Sequence, residues 1–333
     1  MEAATSNPSS KRIALVSGGN KGIGLEMCRQ LASKGLKVVL TARNEARGLE
    51  AVEGVRRSGA DVVFHQLDVT DPDSVARLAD FVRDQFGKLD ILINNAGISG
   101  VDRDPVLFAQ VQEQVESMDV DQRVQWMKEN SKETYEEAKE CMRTNYYGAK
   151  LVTGTTASSS VVLLWENCQC LIRLFTAKGF KKYLCSLALC LPEYYYSPTE
   201  CQIRDWNFNS EELKKEFDDI DNLSEKRLEE LLDLFLEDFK ANLIEAHGWP
   251  TGGSSAYKVA KAALNAYTRI LAKTFPPMRI NCLTPGFVKS DMSMHMGVLT
   301  PEEGASNLVK VALLPDDGPT GAYFDRDGVA SFV

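Results

Sequence analysis

The sequence predicts a doubly wound α/β fold, a parallel sheet with helices on both faces. Two observations carry this reading. Short apolar runs alternate with segments of helical period over the first hundred residues, and the first run enters the first helix through a glycine-rich turn. Strands in such an alternation form a parallel sheet with right-handed crossovers.

Residues 12–17 (RIALVS) form the first apolar run, and Ile23, Met27 and Leu31 share one face of the helix that follows. Residues 36–41 make the second strand, followed by a polar helix to about Ser58, and residues 61–67 make the third. The helix at 73–86 places Val75, Leu78, Ala79, Val82 and Phe86 on one stripe. Residues 89–94 (LDILIN) make a fourth strand. From 98 to about 131 the chain is polar and poorly periodic. A helix then carries Tyr135, Ala138, Met142, Asn145 and Ala149 along one seam, whereas residues 153–209 fit no simple strand–helix pattern. Two charged helices at 211–219 and 224–242 read as solvated faces. A helix at 254–275, a strand at 278–284, a helix at 301–313 and a short strand at 322–324 complete the chain. There is no internal repeat. The expected organisation is a small polar tail at 1–10 and one domain over 11–333, with an atypical segment at 154–206 and a charged helical insert at 210–248.

Composition narrows the function. Of 333 residues 44% are hydrophobic and 26% charged, an ordinary globular balance. A net charge of −9 gives no basic footprint for nucleic acid. No run of about 18 apolar residues occurs, so no membrane span is expected. The tail lacks the apolar core of a signal peptide and the arginines of a transit peptide, which makes the cytoplasm the expected compartment. Cys28, Cys141 and Cys282 sit in apolar contexts and read as reduced core thiols. Cys168, Cys170, Cys185, Cys190 and Cys201 crowd one stretch without a C-x-x-C pair. His65, His247 and His295 are far apart in sequence, and no metal site is expected.

Between the first strand and its helix stands Ser17-Gly-Gly-Asn-Lys-Gly-Ile-Gly24, with Gly18, Gly22 and Gly24 spaced G-x-x-x-G-x-G. Such a turn brings backbone N–H groups and the positive end of a helix against a pyrophosphate. A plain glycine turn has the same composition; the strand before it and the helix after it favour a phosphate cradle of Gly18, Asn20, Lys21, Gly22, Ile23 and Gly24. Dinucleotide folds that prefer NAD usually place an acid at the end of the second strand to hold the ribose 2′-hydroxyl. Here that strand ends Thr41-Ala42-Arg43. Arg43, with Lys21, suits a 2′-phosphate, which points to NADPH/NADP+. Asp68-Val69 could hold the adenine, although Asp68 is also a fitting helix-entry residue.

A tyrosine four residues before a lysine puts both side chains on one helix face, where the ammonium can lower the phenol pKa from about 10 and ready it as a proton donor. Three pairs have this spacing: Tyr135/Lys139, Tyr146/Lys150 and Tyr257/Lys261. The first two lie in one helix among charged neighbours and read as surface pairs. Tyr257 follows Gly252-Gly253-Ser254-Ser255 in the first turn of its helix, where the dipole also favours an anion. The strand beyond that helix ends at Pro285-Gly286, a turn against which a nicotinamide could rest. The third pair is therefore the catalytic candidate.

These segments, with Asn94-Asn95-Ala96-Gly97 and Asn145, follow one another in the order found in the short-chain dehydrogenase/reductase family, which the chain resembles from 11 to 291. Asn20-Lys21, Arg43 and the charged insert resemble its carbonyl-reductase branch, and within that the plant reductases of cyclic terpenoid and alkaloid ketones. The resemblance implies a Rossmann fold, NADPH, reduction of a small-molecule carbonyl, and a monomer, because the insert covers the helix face other members use to dimerise. It implies Tyr257 as proton donor, Lys261 on the nicotinamide ribose, and Asn145 holding a water beside that lysine. Asn95, Ala96 and Gly97 would line the adenine and ribose side, and Val288 and Ser290 would meet the carboxamide, next to Pro285 and Gly286.

The family pattern breaks at one place. The fifth strand and the serine at its end, which would hydrogen-bond the substrate carbonyl, do not appear after the Asn145 helix. Either residues 161–165 or 183–189 stand in for the strand, with Ser186 or Ser197 as the hydroxyl, or the segment is foreign to the fold, as translated unspliced sequence would be. The second alternative leaves an NADP(H)-binding chain with impaired catalysis.

Overall fold

The computed structural model describes residues 11–330 apart from 103, 116 and 161–207. The candidate substitute strands, Ser186, Ser197 and the five crowded cysteines lie outside the described residues. Four parallel strands are ordered β3-β2-β1-β4: β1 (Ile13–Val16), β2 (Lys37–Ala42), β3 (Val62–Gln66) and β4 (Ile91–Ile93). Ala14 faces both Val38 and Ile91, so β1 is central. A strand buried on both faces reads as a continuous apolar run, which is why RIALVS and LDILIN were legible. A second sheet joins β5 (Cys282–Leu283) in parallel to β6 (Tyr323–Phe324), and β6 antiparallel to β7 (Val329–Ala330). Among the described residues no strand joins β4 to β5.

Helices α1 (Gly22–Ser33), α2 (Glu45–Arg56) and α11 (Pro301–Ala312) pack on one face of the sheet, around Val16, Met27, Leu31 and Leu308. The opposite face carries α3 (Pro72–Phe86), α6 (Tyr135–Met142), α7 (Ala149–Ser160) and α10 (Ser255–Thr274), packed around Leu15, Leu78, Leu92 and Ala263. The expected doubly wound arrangement is the one observed. Local signals start and stop these helices: Asn44 and Asp71 cap α2 and α3, and Gly87 at φ 66° ends α3. Among the described residues no helix is long and apolar enough to cross a membrane.

Three regions differ from the sequence reading. The polar stretch after residue 98 holds two helices, α4 (Pro105–Val115) and α5 (Val120–Glu129). Their period was faint because few of their side chains are buried; Val115 and Met127 join Met294 and Met296 in a small separate cluster. The seam through Asn145 is not one α-helix. A π-helical turn, Arg143–Gly148, joins α6 to α7 and admits one extra residue, a distortion that frequently marks functional sites. The charged helices α8 (Glu211–Asp218) and α9 (Glu225–Lys240) are solvated only on their outer faces. Leu228, Leu231, Leu232 and Phe235 pack inward on the same core as α10.

Candidate active site

A cleft of about 760 Å³ opens at the carboxyl ends of the parallel strands, where ligands bind in open α/β sheets. Its floor is the glycine turn. Gly18 has φ 65°, and a Cβ on Gly24 would lie 2.4 Å from the Gly18 carbonyl oxygen, so that crossing admits only glycine. Asn95 locks the turn from beneath: its Nδ2 donates to the carbonyls of Ser17 (2.8 Å) and Gly18 (2.9 Å). The Ser17 hydroxyl in turn accepts the N–H groups of Asn95 and Ala96. At the start of α1, Lys21 is extended and no side chain caps the helix. The uncapped N-terminus borders the cleft, which suits a pyrophosphate.

The end of the cleft beyond β2 and β3 is lined by Arg43, Leu67, Asp68, Val69 and Thr70. Burial acts to raise the Asp68 carboxyl pKa, but the Thr70 N–H (2.9 Å) and hydroxyl (2.8 Å), with the charges of Arg43 and Arg143, outweigh it and hold the group below the usual range. Lys21 reaches across the mouth instead, donating to Asp291 at 2.5 Å, while His295 Nε2 lies 3.2 Å from the other oxygen of that carboxylate.

At the other end stand Tyr257 and Lys261, both buried and both lining the cleft. The Lys261 ammonium lies 5.4 Å from the Tyr257 ring centroid. A Cβ on Gly97 would fall 3.0 Å from Asn145 Oδ1 and 3.7 Å from Lys261 Nζ, so these two groups share the side of the cleft that Gly97 leaves open. The Asn145 amide is taken up by the backbone of Ile98: Oδ1 accepts its N–H at 2.9 Å and Nδ2 donates to its carbonyl at 2.9 Å. The π-helical turn thus fixes the loop after β4 against the lysine.

The structure gathers most of the sequence candidates. Gly18, Asn20, Lys21, Gly22, Ile23, Gly24, Arg43, Asp68, Val69, Asn95, Ala96, Gly97, Tyr257, Lys261, Pro285 and Ser290 all line this cleft. Gly286, Val288 and Asn145 do not: Gly286 has φ 81° behind Pro285, Val288 is fully buried in a bridge to Leu299, and the Asn145 amide is turned onto the backbone of Ile98. Ser99 and His295 at the rim come from stretches that sequence reasoning assigns to the pocket walls, whereas it passed over Thr144, Lys289, Asp291 and Met292. Only Asp291, next to Ser290 in a short polar run, carried a local signal.

The other two tyrosine–lysine pairs lie elsewhere. Tyr146, expected on the surface, is fully buried, and Lys150 bonds Glu225 (2.9 Å) and Glu229 (2.7 Å) of α9. Tyr135 lies under the ammonium of Lys240.

This arrangement, with a glycine cradle at one end and a buried tyrosine–lysine pair at the other, defines an oxidoreductase of the dinucleotide-binding class. The family model for short chain dehydrogenase matches residues 12–159. Salutaridine reductase from Papaver bracteatum is 41% identical over 96% of this chain and 96% of its own length. (+)-Neomenthol dehydrogenase from Capsicum annuum is 40% identical over 97% of this chain and 98% of its own. The solved structure of salutaridine reductase from Papaver somniferum superposes with a TM-score of 0.79 at 39% identity, covering 94% of this chain and 99% of that one. The chain belongs to the short-chain dehydrogenase/reductase family.

Proposed function

We propose that the chain is an NADPH-dependent reductase of ketones or aldehydes, acting on cyclic terpenoid-type or alkaloid-type carbonyls. One observation carries this: Tyr257 and Lys261 line the same cleft as the glycine cradle and Arg43. The bound dinucleotide would supply a hydride to the carbonyl carbon. Tyr257 donates its phenolic proton to the carbonyl oxygen and regains one from solvent. Lys261, buried beside the ring, stabilises the phenolate by charge. Asn145 holds Ile98 in place, beside Gly97 and Lys261. The amides at the α1 N-terminus would hold the pyrophosphate, and Arg43 would hold the 2′-phosphate. The carbonyl substrates follow from the likeness to salutaridine reductase and (+)-neomenthol dehydrogenase. We read the chain as a monomer, because α8 and α9 cover the outer face of α10.

A panel of cyclic terpenoid and alkaloid ketones, followed by NADPH oxidation, tests the activity. Arg43→Ala tests the cofactor: it should raise the KM for NADPH about 10- to 100-fold and leave that for NADH nearly unchanged. Equal use of both cofactors by the wild type contradicts the assignment. NADPH binding, seen as fluorescence quenching, with no turnover across the panel would select the impaired chain.

A further inference from the structure

The helix that carries Tyr257 does not cap itself. Its first turn is entered through three consecutive left-handed residues, Gly252 (φ 82°), Gly253 (φ 77°) and Ser254 (φ 59°), and Ser254 makes no side-chain capping bond. Ordinary caps have extended backbone, as Ser210 and Ser224 do in α8 and α9. The cap comes from 122 residues away. Glu133 Oε2 accepts the N–H of Ser255 at 2.9 Å, and its Oε1 accepts the N–H of Ala256 at 2.7 Å. The Ser255 hydroxyl bonds the same carboxylate. One carboxylate therefore takes both N–H groups just ahead of Tyr257.

Glu133 is itself held from both sides. Lys132 exchanges two backbone hydrogen bonds with Asp102, at 2.8 and 3.0 Å, which tethers it to the loop after β4. Thr134 caps α6 in a reciprocal box with Glu137. The same loop is fixed at Ile98 by Asn145. An unbroken series of short contacts thus runs from the end of β4, through Asp102, Lys132 and Glu133, to the residues preceding Tyr257. The charged groups around this turn are Lys258 and Lys261 on α10, Glu133 in the loop before α6, and Glu140 on α6, beside the neutral thiol of Cys141. Burial pushes the Glu133 carboxyl above its usual range, against the two N–H bonds, the Ser255 hydroxyl and the Lys258 charge that favour its ionised form.

We propose that Glu133 is a positioning residue for the reaction: its carboxylate clamps the first turn of α10 and so fixes both the place of the Tyr257 phenol and the charge that phenol meets. The proposal rests on Tyr257 as the proton donor. The carboxylate sits on the two N–H groups just before Tyr257, so its charge opposes ionisation of that phenol while Lys261 favours it, and Glu133 thereby sets the upper limit of the pH range over which the phenol keeps its proton. Glu133→Gln keeps the size, removes the charge and turns an NH₂ toward one of the two N–H groups. Glu133→Asp keeps the charge with a shorter reach.

Phenolate absorbance, taken as the difference between each chain and its Tyr257→Phe counterpart, titrates this tyrosine without needing substrate. In Glu133→Gln the Tyr257 titration should move down by about half a pH unit or more. Its kcat should fall about tenfold or more, with the KM for the ketone and the Kd for NADPH near wild type. Glu133→Asp should restore the titration midpoint and part of kcat. Two results overturn the proposal: a Glu133→Gln midpoint equal to wild type, or a loss of activity in both variants that only tracks their loss of cooperative unfolding. If Glu133→Gln does not fold, Glu133→Asp decides: a wild-type midpoint with lowered kcat supports the clamp, and unchanged kcat removes it. Wild-type turnover surviving in Tyr257→Phe would instead refute the proton-donor assignment, whatever the midpoints of the Glu133 variants.

Discussion

Tyr146/Lys150 and Tyr257/Lys261 have the same spacing and opposite surroundings. Lys150 is committed to Glu225 and Glu229, and burial pushes the Tyr146 phenol well above its ordinary range, with Glu229, Tyr267 and Glu225 adding to the rise. The Tyr146 hydroxyl has no hydrogen-bond partner among the described residues. No ionised phenol is favoured there. Tyr257 instead opens on the cleft, and Lys261 stands over its ring side. The spacing only brings two side chains onto one helix face; a cleft, a nearby cation and a reachable proton acceptor make the pair chemical. The first pair is a structural clasp between the helical insert and the core.

Lys261→Met should lower kcat by about 10²- to 10³-fold and weaken NADPH binding, because the buried charge beside the phenol is gone. Equal kinetics in wild type and variant would place the lysine outside the chemistry. Lys150→Met should leave kcat intact and destabilise the fold by about 0.5–1 kcal/mol, discounted for the partial exposure of Glu225 and Glu229. Burial opposes the Lys150 charge, but Glu229 and Glu225 outweigh it and raise its pKa. A raised lysine pKa stabilises fully below the unfolded value of about 10.4 and loses that contribution as pH rises through the folded value. The gap in Tm between wild type and Lys150→Met should therefore be constant near neutral pH and shrink only in strong alkali. Tyr146→Phe should be the smallest change: turnover unaltered, and stability equal or higher by up to about 1 kcal/mol, since a buried hydroxyl without a partner is removed. A Tyr146→Phe chain with lost activity would break the comparison.

What the sequence made legible follows the distance over which each feature is determined. β1 to β4, α1 to α3 and the glycine cradle rest on patterns within a few residues, and they were read nearly to their ends. Tyr257 was separated from Tyr146 by its neighbours, the glycines before it and the strand after it. The π-helical turn at Asn145 escaped because an inserted residue blurs the period it would have to be read from. Helices α4 and α5 escaped because their buried side chains meet Met294 and Met296, far away in the chain. No local pattern singles out Glu133, since its partners lie 122 and 123 residues on. The ion pair from Lys21 to Asp291 spans 270 residues and diverts a cation that local reading gave to a phosphate. The two residues weighed as the fifth-strand serine, Ser186 and Ser197, fall within 161–207, outside the described residues.

In the proposed reaction Tyr257 delivers the proton at a cleft suited to a dinucleotide. Single-turnover oxidation of NADPH by a reducible ketone, in wild type and Tyr257→Phe at saturating cofactor, tests it most directly. Retained NADPH affinity with a rate lowered by about 10²- to 10⁴-fold is expected. An undiminished rate in the variant would contradict it.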